Sequence, residues 1–170
     1  MSATVRITDP RARPTGWWAV TAAYVALTKP RIIELLLVTT VPAMVLAADG
    51  WPGAWLVVAT LIGGTMSAGG AHAINNYLDR DIDEAMRRTV HRPIPAAKVE
   101  PRSALIFGVL VGAAGFGWLV LTTNALAGLL AASALLFYVF VYTMVLKRMT
   151  PQNIVIGGAA GAVPVLVGWA

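Results

Sequence analysis

Five apolar runs, Ile32–Ala48, Trp51–Leu78, Ser103–Leu121, Leu126–Leu146 and Ile154–Ala170, constrain this chain more than any other feature. Each is long enough to cross a hydrocarbon layer of about 30 Å as an α-helix. A lone strand there would leave its backbone groups unpaired in lipid, so the runs predict helices and an all-α, polytopic transmembrane bundle. Composition agrees. Of 170 residues, 58% are hydrophobic and only 12% are charged, whereas soluble domains carry about 25% charge. With no cysteine in the chain, disulfide frameworks, Cys-ligated zinc, iron–sulfur clusters and cysteine nucleophiles are excluded.

A net charge of +5 invites a nucleic-acid reading, but that needs a basic face on a soluble fold. Here the basic residues sit between apolar runs, so the lipid bilayer is the expected partner and nucleic acid is not. With five spans drawn, all 13 Lys and Arg residues fall on one side: Arg6, Arg11, Arg13, Lys29 and Arg31, then Arg80, Arg87, Arg88, Arg92, Lys98 and Arg102, then Lys147 and Arg148. The positive-inside rule then puts the N-terminus and the 79–102 loop in the cytoplasm, with a bacterial plasma membrane as the expected location. Ahead of the spans, residues 1–16 read as a disordered cytoplasmic tail without the apolar core of a cleaved signal. Residues 17–29, with Trp17, Trp18 and Tyr24, read as an interfacial helix. Pro30 divides it from a transmembrane domain over 30–170. That domain is expected to be truncated, because Trp169-Ala170 lies within an apolar run. The span glycines, Gly63-Gly64, Gly69-Gly70, Gly108, Gly112 and Gly115 among them, are read as small faces for close helix approach. No Lys-Ser/Thr follows them, so they are not phosphate loops.

Where the second span leaves the membrane the chain reads His72-Ala73-Ile74-Asn75-Asn76-Tyr77-Leu78-Asp79-Arg80-Asp81-Ile82-Asp83-Glu84. Asn75, Asp79 and Asp83 are four residues apart, so each lies about 40° from the last on one helix face, while Asp81 points about 200° from Asp79. One amide carbonyl and two carboxylates are hard oxygen donors suited to Mg²⁺, which would relieve their mutual repulsion. The competing reading is a solvated helix end in which the acids pair with Arg80, Arg87 and Arg88. Asn75 and Asn76 inside a span argue against it, since amides there are costly and often functional.

These residues resemble the UbiA-type intramembrane prenyltransferases. The matching stretches are Leu27-Thr28-Lys29-Pro30-Arg31; Asn75 to Asp83, with Met86, Arg88-Thr89 and Arg92-Pro93; Tyr142-Thr143 with Leu146-Lys147-Arg148; and Thr150-Pro151-Gln152-Asn153-Ile154-Val155-Ile156-Gly157-Gly158. They occur in the family's order and span most of residues 24–169. The Asp79-Arg80-Asp81-Ile82-Asp83 form and the last stretch point to the branch that farnesylates haem b. The resemblance implies a helical bundle of two related halves, with about five spans here and the C-terminal half, holding a second Asp-rich motif, missing. It implies transfer of farnesyl from farnesyl diphosphate to a vinyl group of haem b, giving haem O and pyrophosphate on the way to haem A and cytochrome oxidase. Haem A synthase or oxidase assembly proteins are implied partners, and the fragment alone is expected to be inactive.

By the family's pattern Asn75, Asp79 and Asp83 are the catalytic set and hold Mg²⁺ against the diphosphate. Arg31, Arg88, Arg92, Lys147 and Asn153 are the diphosphate-binding candidates. Topology anchoring competes for the basic residues, and capping of the fifth span for Asn153. His72, one turn before Asn75, suits either an intramembrane hydrogen bond or a haem iron. Tyr77 and Tyr142 suit either a cation or the interface. Two further readings stay open: a sibling prenyltransferase acting on a quinone or aromatic acid, and part of a non-enzymatic transporter whose Asp cluster binds a coupling cation.

Overall fold

The structure, a computed structural model, describes residues 16–170. The tail expected at the N-terminus, with Arg6, Arg11 and Arg13, lies outside the described residues. Within them the chain is a bundle of helices joined by turns, with no strand.

Helix α1 (Trp17–Thr28) forms where an interfacial helix is expected over 17–29, and it is docked on the bundle. Its Leu27 and Ala23 are buried against Ala73, Ala104, Ile94 and Val99, and Tyr24 meets Phe107 edge-on at 5.1 Å. Lys29 adopts a left-handed φ of 55° that separates α1 from α2 (Pro30–Val38). Pro30 opens α2 at a position where a missing N–H costs nothing. The first span is then interrupted at Thr39 before α3 (Thr40–Ala47). Two local causes coincide there: Pro42 cannot donate to the carbonyl of Val38, and the Thr39 hydroxyl donates instead to Leu36 O at 2.8 Å.

Helix α4 (Ala54–Leu78) is the central rod, and α6 (Pro101–Thr122) lies along it. Glycine permits that approach. A Cβ added at Gly70 would stand 2.6 Å from Gly112 N and 2.7 Å from Gly108 O, and one at Gly115 would stand 2.7 Å from Ser67 N. The Trp118 indole ties the pair further by donating to Ala59 O at 2.9 Å. Between α4 and α6 the expected loop contains α5 (Arg80–Ala85) followed by turns. Helix α7 (Ala125–Leu136) starts at Asn124, whose side chain accepts from Ala127 N at 2.9 Å. The periodicity of the fourth span suggests continuous α-helix, but after Leu136 it widens into a π-helix, π1 (Phe137–Leu146), before a single turn, α8 (Lys147–Met149). Helix α9 (Asn153–Trp169) closes the bundle against α3 and α7.

Four helical units are long and apolar enough to cross a membrane: Pro30–Ala47, Ala54–Leu78, Pro101–Thr122 and Ala125–Met149. The fifth expected span, α9, has 17 residues, the lower end of spanning lengths at about 17–25. Successive units are antiparallel. Lys29, Asp79 and Lys147 meet at one end of the bundle, and at the other Asn124 donates to Ala170 O at 2.9 Å. The chain is an all-helical integral membrane bundle.

Candidate functional site

The end of α4 carries the site. Helical geometry formally breaks at Asp79, yet the i to i+4 ladder runs on: Asp79 N donates to Asn75 O at 2.9 Å and Asp83 N to Asp79 O at 2.8 Å. The four-residue stack of Asn75, Asp79 and Asp83 therefore survives the break. Their relative exposures are 2%, 0% and 1%. Burial of two carboxylates demands partners, and the structure supplies cations from three other segments. Lys147, at the end of π1, binds Asp79 Oδ2, and Arg92 reaches both oxygens of Asp83 at 2.7 Å. Lys29 donates to Asn75 Oδ1 at 2.8 Å. Asn75 in turn donates to Asp79 Oδ2 at 2.7 Å and to the Thr143 hydroxyl oxygen at 3.1 Å.

This network leaves Asp79 Oδ1 buried without a partner. Lys29 experiences the crowding of charge most directly. Burial, followed by the repulsion of Arg92 and Lys147, lowers its ammonium to about 8 against the pull of Asp79 and Asp83. Asp81 faces away as its spacing predicts. It is exposed and forms a two-pronged pair with Arg148 at 2.8 and 2.9 Å, and these hydrogen bonds hold its carboxyl down to about 2. Arg80 takes no acid: it donates to Tyr77 O at 2.9 Å and lies 4.5 Å above the Tyr77 ring. The partners expected from a solvated helix end, Arg80, Arg87 and Arg88, thus pair with none of the carboxylates among the described residues.

Just inside the membrane from this cluster lies an apolar cavity of about 130 Å³ between Leu37, Thr60, Ala71, His72, Tyr138 and Gly161. Tyr138 lines it and begins an aromatic wall that continues outside the cavity. Tyr138 stacks on Tyr142 at 5.1 Å, and Tyr142 lies against Gly157, where any side chain would collide with the ring.

The candidate residues are brought together unevenly. Asn75, Asp79 and Lys147 form one hydrogen-bonded unit, and, one helical turn on, Asp83 and Arg92 form a separate ion pair. Arg31 and Arg88 are exposed at the same end and pair with no carboxylate among the described residues. Asn153 opens α9 and donates to Thr150 O at 2.8 Å, a local turn contact. Tyr142 joins the aromatic wall, while Tyr77 packs with the α1 core and under Arg80. The hydrogen bond expected of His72 is absent, as both ring nitrogens are without a partner. Tyr138 is not singled out by sequence. Thr143 enters only as part of the Tyr142-Thr143 stretch, with no role attached, and Lys29 only as one of several basic residues at this face that could touch a diphosphate or anchor the topology. Among the described residues no three His, Cys, Asp or Glu side chains gather as a metal-holding group, so the donor set is two carboxylates and an amide.

Residues 36–170 match the UbiA prenyltransferase family. The chain belongs to that family. Among its relatives, the protoheme IX farnesyltransferase of Clavibacter michiganensis subsp. michiganensis is 59% identical over 150 residues, 88% of this chain and 49% of the relative. Protoheme IX farnesyltransferase 2 of Saccharopolyspora erythraea is 62% identical over 148 residues, 87% of this chain and 46% of the relative. The Mycobacterium avium protoheme IX farnesyltransferase is 54% identical over 160 residues, 94% and 52% respectively. The chain spans about half the length of these curated relatives. No solved structure matches it.

Proposed function

We propose that this chain forms part of an enzyme that transfers farnesyl from farnesyl diphosphate to a vinyl group of haem b, giving haem O and pyrophosphate. The observation that carries the reading is the buried stack of Asn75, Asp79 and Asp83 with its ring of cations, one helical turn beyond His72, which lines the apolar cavity. Relatives named protoheme IX farnesyltransferase favour haem over a quinone or aromatic acid as the acceptor. In the reaction the C1–O bond of the donor breaks and its electron pair leaves with pyrophosphate. C1 then bonds to the terminal vinyl carbon, and water adds to the inner one with loss of a proton.

Charge develops on the leaving oxygens at the polar mouth. Lys29, Arg92 and Lys147 converge there and stabilise it, three preorganised donors in a site sheltered from water. Of these three, Lys29 alone bonds to an amide and to no carboxylate among the described residues, so it is the one of them most available to an incoming anion. The cavity keeps water from the allylic cation until the new bond has formed. The donor set fits Mg²⁺, because Asp79 Oδ1 is a buried oxygen awaiting a partner. Asp79, Asp83 and the Asn75 carbonyl would hold the ion, which when bound supplies Lewis-acid neutralisation of the diphosphate.

The placement of the basic linkers supports a cytoplasmic mouth and a bacterial plasma membrane location, with the haem O product passing to haem A formation. The test is to give membranes carrying the complete gene product farnesyl diphosphate, Mg²⁺ and haem b, and to look for haem O by mass. A prenylated quinol with no haem O would overturn the acceptor assignment. Solute counterflow in proteoliposomes without any prenyl product would instead establish a transporter.

A further inference from the structure

One polar side chain in the cavity wall has nothing to bind. His72 is 6% exposed, lines the cavity, and has no hydrogen-bond partner at either ring nitrogen. The threonine and serine hydroxyls sharing that wall are satisfied: Thr40 donates to Leu36 O at 3.4 Å, Thr60 to Leu56 O at 2.8 Å and Ser67 to Ala131 O at 3.3 Å. The imidazole is held edge-on to Tyr138 at 5.5 Å, so its direction is set by packing. A buried imidazole with both nitrogens unpaired is costly, and such a group calls for a ligand or another reason to be retained.

The ligand must offer a nitrogen lone pair something to hold. A farnesyl chain is hydrocarbon and offers nothing. Haem b carries iron, for which an imidazole nitrogen is a common axial ligand. Resting on the haem reading given above, we propose that His72 ligates the iron of the acceptor and so fixes the macrocycle beside the diphosphate.

Position supports this. His72 lies three residues before Asn75, about 4.5 Å along the helix axis. Vinyl groups sit on the macrocycle rim, a comparable distance from its centre. Iron held at His72 therefore leaves a vinyl carbon level with Asn75, where Lys29 and Lys147 converge and where the donor carbon loses its pyrophosphate. The present cavity is smaller than a porphyrin, so seating one requires the α9 side, which faces the cavity through Gly157 and Gly161, to move outward.

The test uses the complete gene product, purified in detergent and titrated with haem b. The wild type is expected to give the optical spectrum of imidazole-ligated haem. His72→Ala and His72→Gln should lose it and raise KM for haem by about tenfold or more, with KM for farnesyl diphosphate unchanged within about twofold. Free imidazole should restore the His72→Ala spectrum. An unchanged haem spectrum and KM in both variants would overturn the proposal. So would failed imidazole rescue in a variant that still binds farnesyl diphosphate normally. If wild type prenylates only a non-haem acceptor, the reaction assignment itself fails. If wild type makes haem O and the variants match it, only the ligation fails.

Discussion

Asp79 is bonded through one carboxylate oxygen: Oδ2 accepts from Asn75 and Lys147, while Oδ1 is buried without a partner. Asp79→Asn leaves the Lys147 ammonium, itself partly exposed, without its counter-charge and removes a carboxylate from the site. Turnover is expected to fall by about 10²-fold or more with protein level in the membrane unchanged, read as product rate against an immunoblot. Asp83→Asn should behave alike, because Arg92 grips both Asp83 oxygens. Asp81→Asn should cost less than about threefold, since an exposed pair such as Asp81–Arg148 contributes roughly 0–1 kcal/mol. A loss as large as that of Asp79→Asn would contradict this division of roles. The triad was legible in sequence because four-residue spacing survives the break at Asp79. Thr143 was not legible, because whether it meets Asn75 depends on how the helix carrying it is wound.

That winding belongs to π1. In an α-helix Lys147, nine residues after Tyr138, would lie about 180° round the axis. In a π-helix one turn takes between four and five residues, so Tyr138, Thr143 and Lys147 come onto one face. The Thr143 hydroxyl marks the wider turn by donating to Tyr138 O, five residues back, at 2.8 Å. Apolar periodicity cannot foresee this, since every position of Phe137–Leu146 except Thr143 is apolar or aromatic. Deleting Phe140, which is exposed, is expected to restore α-helical winding and swing Lys147 from the Tyr138 face, and so from Asp79, by about 80°. Its loss of turnover should match that of Lys147→Met, and the combined variant should be no worse than either alone. Additive losses would show that π1 and Lys147 act separately. The α4–α6 contact was legible in sequence as small residues, although the pairing of Gly70 with Gly108 and Gly112 was not. Gly70→Val should destabilise by about 1–3 kcal/mol or more by forcing two backbones apart. Gly117→Ala, with open space at its Cβ, is the control, and thermal unfolding in detergent separates them.

Across the whole molecule the order of spans was legible from hydropathy, and the common end from charge. Ten described Lys and Arg residues lie in the α1–α2 junction, the α4–α6 connection and the π1–α9 connection. Contacts among Lys29, Asn75, Asp79 and Lys147 bring those three connections together. What hydropathy missed is the docking of α1, because its aromatic residues alone suggest only an interface. The absence of native cysteine makes sidedness easy to measure. In sealed vesicles a thiol introduced as Lys98→Cys should label only from the cytoplasmic face, and one introduced as Asp49→Cys only from the opposite face. Labelling of both from one side would break the five-span order. Helix α1 has a practical consequence of its own. Its Leu27 side chain is sealed in the core, its Leu27 carbonyl receives Asn76 Nδ2 at 3.0 Å, and two residues later Lys29 reaches Asn75. This amino-terminal segment is a strut, and trimming it for crystallisation, or hanging a bulky affinity tag directly on Trp17, would disturb the Lys29–Asn75 contact while leaving every span intact.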